Sequence, residues 1–385
     1  MKLVVVGFGK CGGNIADEFV RLNEKACRKR KIDVILDAIA VDSDASTLLE
    51  LDDIKYDYQH RVLIGGDWTR GAGVSGDNNL ATKMASNEIY RVINALQASS
   101  GFTERNAIML AASTAGGVGS AALPIVAKMI KQTYLDRPVY SLLVLPAGTR
   151  LDEMSPVYKN TATCLRMAYA FSDAVILVDN ERFVQKDSSL KNKFAKINKM
   201  IVEPFYNFLC SGEERKAKYI GSRTIDAGEI LQTLSGWTAI GCGRYPLPKV
   251  KSPILARRNF RKTNLQSSRG LKIMDRALAE LSVRCNIRDA GRALYLLTAP
   301  SMTTRVQLIA DLNQYFRQLV PDAELRSGDY PRESGFAETV VILSHLKNVD
   351  RIHQYFNKSA TQEKEDDMRE TEPVLEKDVE PGSII

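Results

Sequence analysis

Apolar residues along this chain fall into short, nearly unbroken runs separated by longer stretches of helical period. Residues 2–6, 34–41, 61–64, 106–112, 138–145 and 174–178 are dominated by Val, Ile, Leu and Ala, the pattern of strands buried on both faces of a parallel sheet. Between them, residues 15–30, 79–96, 123–132 and 156–170 repeat apolar positions every three or four residues, as amphipathic helices do. The alternation predicts an α/β domain built on a Rossmann-like parallel sheet over residues 1–188. Residues 189–211 then read as one long helix joining two halves, with Phe194, Ile197, Ile201, Phe205 and Phe208 on its apolar side. In 213–358 the strands are fewer and further apart (238–241, 293–298, 324–329 and 337–344). Helices are expected there over 225–230, 269–281, 303–319 and 349–356, which together predict a smaller α+β domain with a mixed sheet. Residues 359–385 are charged, proline-punctuated and nearly free of aromatics, a composition that predicts an acidic disordered tail.

Three of the predicted strands run into glycine-rich turns. The first is Gly7-Phe8-Gly9-Lys10-Cys11-Gly12-Gly13-Asn14, in which Gly7, Gly9 and Gly12 fit the GxGxxG dinucleotide fingerprint. The second strand ends in Asp42-Ser43-Asp44, where a dinucleotide enzyme would place an acid on a ribose. The third loop holds Thr69-Arg70-Gly71-Ala72-Gly73, and the fourth strand leads into Ala115-Gly116-Gly117-Val118-Gly119-Ser120-Ala121. Where a strand, a glycine turn and a helix start follow one another, backbone N–H groups and the helix dipole can close on an oxyanion. One such loop is as readily a tight packing turn. Three at one sheet edge suit a nucleotide with a full triphosphate. An NAD-dependent oxidoreductase built on the first loop alone stays open as the alternative, although it has no use for the other two.

Composition narrows the rest. Hydrophobic residues at 44% and charged residues at 26% are ordinary for a globular chain. No apolar run approaches the roughly 18–20 residues that cross a bilayer, and the first strand enters a glycine turn rather than a cleavage site, so a soluble cytoplasmic protein is expected. The net charge of +7 divides unevenly, because residues 361–385 hold nine acids against three bases and leave the body strongly basic. Residues 28–31 close a helix, where cations suit the dipole, and 249–262 form a proline-marked connection without clustered aromatics. Nucleic-acid binding is therefore not expected. The six cysteines are scattered with no CxxC pair and the three histidines form no ligand pattern, so neither a metal site nor a catalytic histidine is indicated.

The order of these loops resembles the tubulin/FtsZ superfamily, and most closely its archaeal tubulin-like CetZ group. The first and third loops are good matches, and 115–121 keeps four of the seven positions of the family signature GGGTGSG, with Val118 in place of its threonine. The resemblance implies GTP or GDP held by Gly9, Lys10, Cys11, Gly12, Gly13, Asn14, Gly71, Ala72, Gly73, Ala115, Gly116, Gly117, Val118, Gly119 and Ser120, with magnesium carried through the phosphates. It places Glu153 near the ribose, and Asn180, Phe194 and Asn198 at the guanine. Phe194 and Asn198 are one helical turn apart, and an amide offers both a donor and an acceptor to the base edge. Asp226 and Glu229, predicted on one face of a first helical turn, match the acids that in this family reach the neighbouring subunit's γ-phosphate. The implied protein is a GTPase that polymerises head to tail in archaeal cell-shape control. Its implied partners are further copies of itself; apart from the resemblance, the acidic tail ordinarily serves to keep an assembly soluble, and a role for it as the docking point of an adaptor is the alternative. A filament subunit with little or no hydrolysis is the variant that Val118 suggests.

Overall fold

The computed structural model describes residues 1–147, 155–186, 194–214, 219, 221–247, 267–300, 306–332 and 335–371. Strands β1 (Leu3–Phe8), β2 (Ile35–Asp42), β3 (Arg61–Leu63), β4 (Ala107–Ser113), β5 (Val139–Leu145) and β6 (Ala174–Asp179) form where the apolar runs predict them. They pair in parallel in the order β3-β2-β1-β4-β5-β6. Every residue of β1, β5 and β6 is buried, as helices on both faces require. The first seven helices are α1 (Gly9–Arg30), α2 (Ala45–Leu49), α3 (Gly66–Thr69), α4 (Asn78–Ala98), α5 (Gly117–Thr133), α6 (Ser155–Phe171) and α7 (Asn180–Lys186). Helices α2, α3 and α7 are too short to show a period in the sequence.

The linking helix α8 (Phe194–Leu209) buries Ile197, Ile201, Phe205 and Phe208, each contributing roughly 1.5–3 kcal/mol through apolar burial. Phe194, expected on that apolar side, is instead 48% exposed. The part of the predicted helix over 189–193 lies outside the described residues. Helix α8 runs beside α1 in the same sense: Phe205 packs edge-on against Phe19, the Tyr206 hydroxyl donates to Asn23 Oδ1 (3.1 Å), and Arg30 reaches Cys210 Sγ (3.9 Å). At its far end the Met1 ammonium donates to the Leu209 carbonyl (2.9 Å) and pairs with Glu213 (2.7 Å). Helix α8 therefore spans the sheet, from the edge where the strands end to the edge where they begin. Its 16 residues cover roughly 24 Å at 1.5 Å per residue.

Beyond it come α9 (Ala227–Thr233), β7 (Gly236–Pro246), helix Ser267–Ala279, β8 (Ala290–Ala299), helix Val306–Leu319, β9 (Glu324–Pro331), β10 (Phe336–Leu346) and a last helix, Asp350–Thr371. The second half is joined to the first sheet rather than separate from it. The first three residues of β7 pair in parallel with the start of β6, and the rest of β7 pairs antiparallel with β10. Strand β10 in turn pairs antiparallel with β8, and β8 in parallel with β9, so all ten strands form one mixed sheet. The last helix outruns its predicted end at residue 356 and takes in residues expected to be disordered, as far as Thr371. Gln, Glu, Lys, Met and Arg dominate that stretch, and all favour helix.

Candidate functional site

At the edge where the parallel strands end, the glycine loops enclose a cavity of about 450 Å³. Its wall includes Gly9, Lys10 and Cys11, then Asp42, Ser43, Asp44 and Thr47, then Ala72, Gly73, Val74, Ser75 and Gly76, and finally Ala115, Gly116, Gly117, Val118 and Gly119. Two helices start here without side-chain caps. Phe8 precedes α1 and Gly116 precedes α5, and neither gives a side-chain oxygen to the first N–H groups. Those donors and the dipoles behind them call for an anion. Glycine is required by geometry at several points. Gly9, Gly71, Gly73 and Gly76 have φ between 67° and 89°, a region closed to most side chains. A Cβ on Gly12 would lie 2.1 Å from the Ala111 carbonyl oxygen, so α1 presses directly on β4, whereas nothing lies within 4 Å of a Cβ placed on Gly116. The cradle is tight underneath and open on top, which fits a phosphate chain.

The turn after β2 is stitched to the third loop by a bridge between Asp44 and Ala72. The Gly73 N–H donates to Ser43 O (3.1 Å) and the Ala45 N–H to Gly71 O (3.0 Å). Asp42 accepts from the Ser43 N–H (2.7 Å) and the Thr47 hydroxyl (2.6 Å), and burial pushes its carboxyl above the usual range. Asp44 is held below that range by the Ser46 hydroxyl. Lys10 turns its ammonium to Glu50 (2.7 Å). Burial pushes the Cys11 thiol up to about 12, which favours its neutral form in the cavity wall. Ser120 accepts from Asn78 Nδ2 (2.7 Å) and donates to Gly117 O (3.2 Å), tying α5 to α4.

The other predicted residues divide between the two edges of the sheet. Gly12, Gly13 and Asn14 follow in the first turn of α1, and Gly13 is free of close contacts to its Cβ position, the nearest being 3.7 Å away. Asn180 opens α7 at the end of β6. Phe194 and Asn198 lie in the first turns of α8, level with the first turns of α1 because the two helices run together; Asn198 is buried and Phe194 exposed. Glu153 lies outside the described residues. Asp226 and Glu229 sit at the opposite edge, where α9 precedes the pairing of β7 with the start of β6. Their side chains meet at the start of α9, although Asp226 stands just before the helix rather than within its first turn. Asp226 is the N-cap, accepting from the Glu229 N–H (2.8 Å), and Glu229 accepts in return from the Asp226 N–H (3.4 Å), because an acid at N-cap and another at N3 satisfy each other's backbone.

Several residues near those acids carry no local sequence signal. Arg223 pairs with Glu229 (3.1 Å), and buried Asp329 accepts from the N–H groups of Ser222 (3.0 Å) and Arg223 (2.8 Å), fixing the approach to Asp226. Gly221 and Gly328 pass so close to their neighbours that a Cβ would clash. Among the described residues no cluster of His, Cys, Asp and Glu could hold a metal, and no helix is long and apolar enough to cross a membrane.

A parallel sheet with two uncapped helix starts over one cavity, a long helix across it, and a mixed second half define the tubulin-type nucleotide-binding fold. Residues 2–187 match the Tubulin/FtsZ family, GTPase domain, and residues 187–362 match the C-terminal domain of tubulin-like CetZ. The chain belongs to this family, among its tubulin-like CetZ members. It is 29% identical over 368 residues to tubulin-like protein CetZ1 of Haloferax volcanii, covering 92% of this chain and 90% of that one. The GDP-bound CetZ1 monomer from the same organism superposes with a TM-score of 0.78 at 28% identity, covering 94% of this chain and all of the other. A GTPγS-bound protofilament of Haloferax volcanii CetZ2 gives 0.79 at 26% identity, over 95% of this chain and all of the other.

Proposed function

We propose that the protein binds GTP in the glycine-lined cavity, assembles head to tail into protofilaments, and hydrolyses GTP at each junction as a cytoskeletal protein. The observation that carries this reading is polarity. The cradle occupies one edge of the sheet and the exposed acid Asp226 the other, at the far end of a helix of 16 residues. Within one chain they are too far apart to meet. A second copy stacked in the same orientation brings them together, and such a heterologous contact repeats without closing.

The uncapped N–H groups of α1 and α5 bind the phosphates, and the stitched loops hold the wall in place before the nucleotide arrives. Asn180, Phe194 and Asn198 are assigned to the base. Asp42 and Asp44 would repel a triphosphate, so a magnesium ion travelling with it would offset their charge. Glu229, oriented by Arg223 and the capping box, and Asp226 beside it position the attacking water from the neighbouring subunit. Phosphoryl transfer asks little more of a protein than that placement. Val118 supplies no hydroxyl to the terminal phosphates and is buried, at 5% exposure, which favours slow turnover over fast.

Sedimentation tests the assembly. With GTP the protein is expected to pellet as filaments, with GDP to stay in the supernatant, and nucleotide released on denaturation should be guanine. Identical sedimentation with GTP, GDP and no nucleotide would contradict the proposal.

A further inference from the structure

The last helix returns to the sheet edge that carries the cavity, and one side chain on it joins the ends of two strands. Arg351, with its side chain 13% exposed, donates from Nη2 to the carbonyl of Pro146 (3.0 Å), the residue after β5. Its Nε lies 3.3 Å from Oδ2 of buried Asp179, the last residue of β6, and its Nη1 lies 3.2 Å from Glu181 Oε2. One turn further on, Tyr355 is 1% exposed; its hydroxyl accepts from Arg351 Nη2 (3.0 Å) and donates to the same Pro146 carbonyl (3.3 Å). Asp179 Oδ1 accepts from the Glu181 N–H (3.1 Å), which closes the turn around Asn180. A planar guanidinium can serve several acceptors at once in fixed directions, and an ammonium cannot. Burial raises the Asp179 carboxyl and Arg351 opposes that rise, while the same guanidinium ties this turn to the Pro146 carbonyl.

We propose that Arg351 is a positioning residue for the nucleotide, which holds the ends of β5 and β6 in register from the last helix and so sets how long a guanine nucleotide stays bound. The proposal deepens the function above and rests on the assignment of Asn180 to the base. Arg351 would touch no part of the nucleotide itself. It is distant in sequence from every glycine loop, and its effect passes through Asp179, Glu181 and Pro146.

The test is the release of a fluorescent guanine nucleotide from the full chain, chased with excess GTP, for Arg351→Ala, Arg351→Lys, Tyr355→Phe and Asn180→Ala, each with a thermal unfolding curve. Loss of the half-buried ion pairs together with the hydrogen bond to the Pro146 carbonyl predicts release about tenfold faster or more for Arg351→Ala. Arg351→Lys should fall between Arg351→Ala and the unaltered chain, and Tyr355→Phe should speed release least. If Arg351→Ala does not fold, Arg351→Lys and Tyr355→Phe decide alone, since both are mild. Folded variants whose melting temperatures fall while release stays unchanged would show a merely structural residue and overturn the proposal. If Asn180→Ala speeds release and the Arg351 variants do not, only the clamp is wrong. If Asn180→Ala itself has no effect, the base assignment fails and the proposal with it.

Discussion

Glu229 caps its own helix and, in the proposed filament, faces the terminal phosphate of the next subunit. Glutamine also serves at N3 of a capping box, so Glu229→Gln separates the two duties. It should lower phosphate release on the order of a hundredfold, the scale of lost general-base assistance, while equilibrium nucleotide affinity stays within about twofold. At Val118 the direction reverses. Val118→Thr restores a hydroxyl beside the phosphates, and a hydrogen bond to a charged group is worth about 1.5–3 kcal/mol. Faster phosphate release or tighter GTP binding, by about tenfold, is the expected result; no change in either would remove Val118 from the account. Both positions could be found in the sequence, one by its i, i+3 spacing and the other by its departure from a motif. Arg351, Asp329 and Arg223 could not, because their partners in the turns they hold are brought to them only by the fold.

The elements themselves were legible where local pattern decides them. Runs such as 106–112 are buried on both faces and need no partner to be recognised, and the strands of the first half lie where those runs predict. Strand β7 was legible only at 238–241, because its outer part contains Gly243, Arg244 and Pro246 and is held by the ladder to β10. The first turn of α1 offers a sharp test at this scale. Gly12→Ala drives a methyl into the Ala111 carbonyl and should cost about 1–3 kcal/mol or more, as overpacking does. Its neighbour Gly13→Ala meets nothing closer than 3.7 Å and should be tolerated, which denaturant unfolding of the pair will show. Next to the edge strand, burial works to raise the Asp37 carboxyl, but Ser100, His60 and Lys55 outweigh it and hold it below the usual range. A carboxyl lowered by folding stabilises at neutral pH and loses that contribution as pH falls through its folded value. Asp37→Asn should therefore destabilise at pH 7, with a penalty that shrinks below about pH 4, the unfolded carboxylate range.

At the scale of the whole molecule, the two halves share one sheet, so the cradle and the acids are rigidly set at opposite edges. That polarity could not be read from periodicity. It came from the order of the motifs and was given physical form by α8, which starts beside α1 and ends against Met1. A filament built this way has one end that exposes cradles and one that exposes acids, and its active sites exist only at junctions. Mixing two defective subunits tests this directly. Gly116→Phe fills the open top of the cradle but keeps the acids, and Glu229→Gln keeps the cradle but lacks the acid. Gly116→Phe alone should release no phosphate, and Glu229→Gln alone only at its roughly hundredfold lowered rate. Their mixture should regain hydrolysis at junctions where a Glu229→Gln cradle meets an intact acid pair from the other variant. A mixture as silent as its components, or a Glu229→Gln protein that hydrolyses at the full rate by itself, would contradict a site completed by two copies.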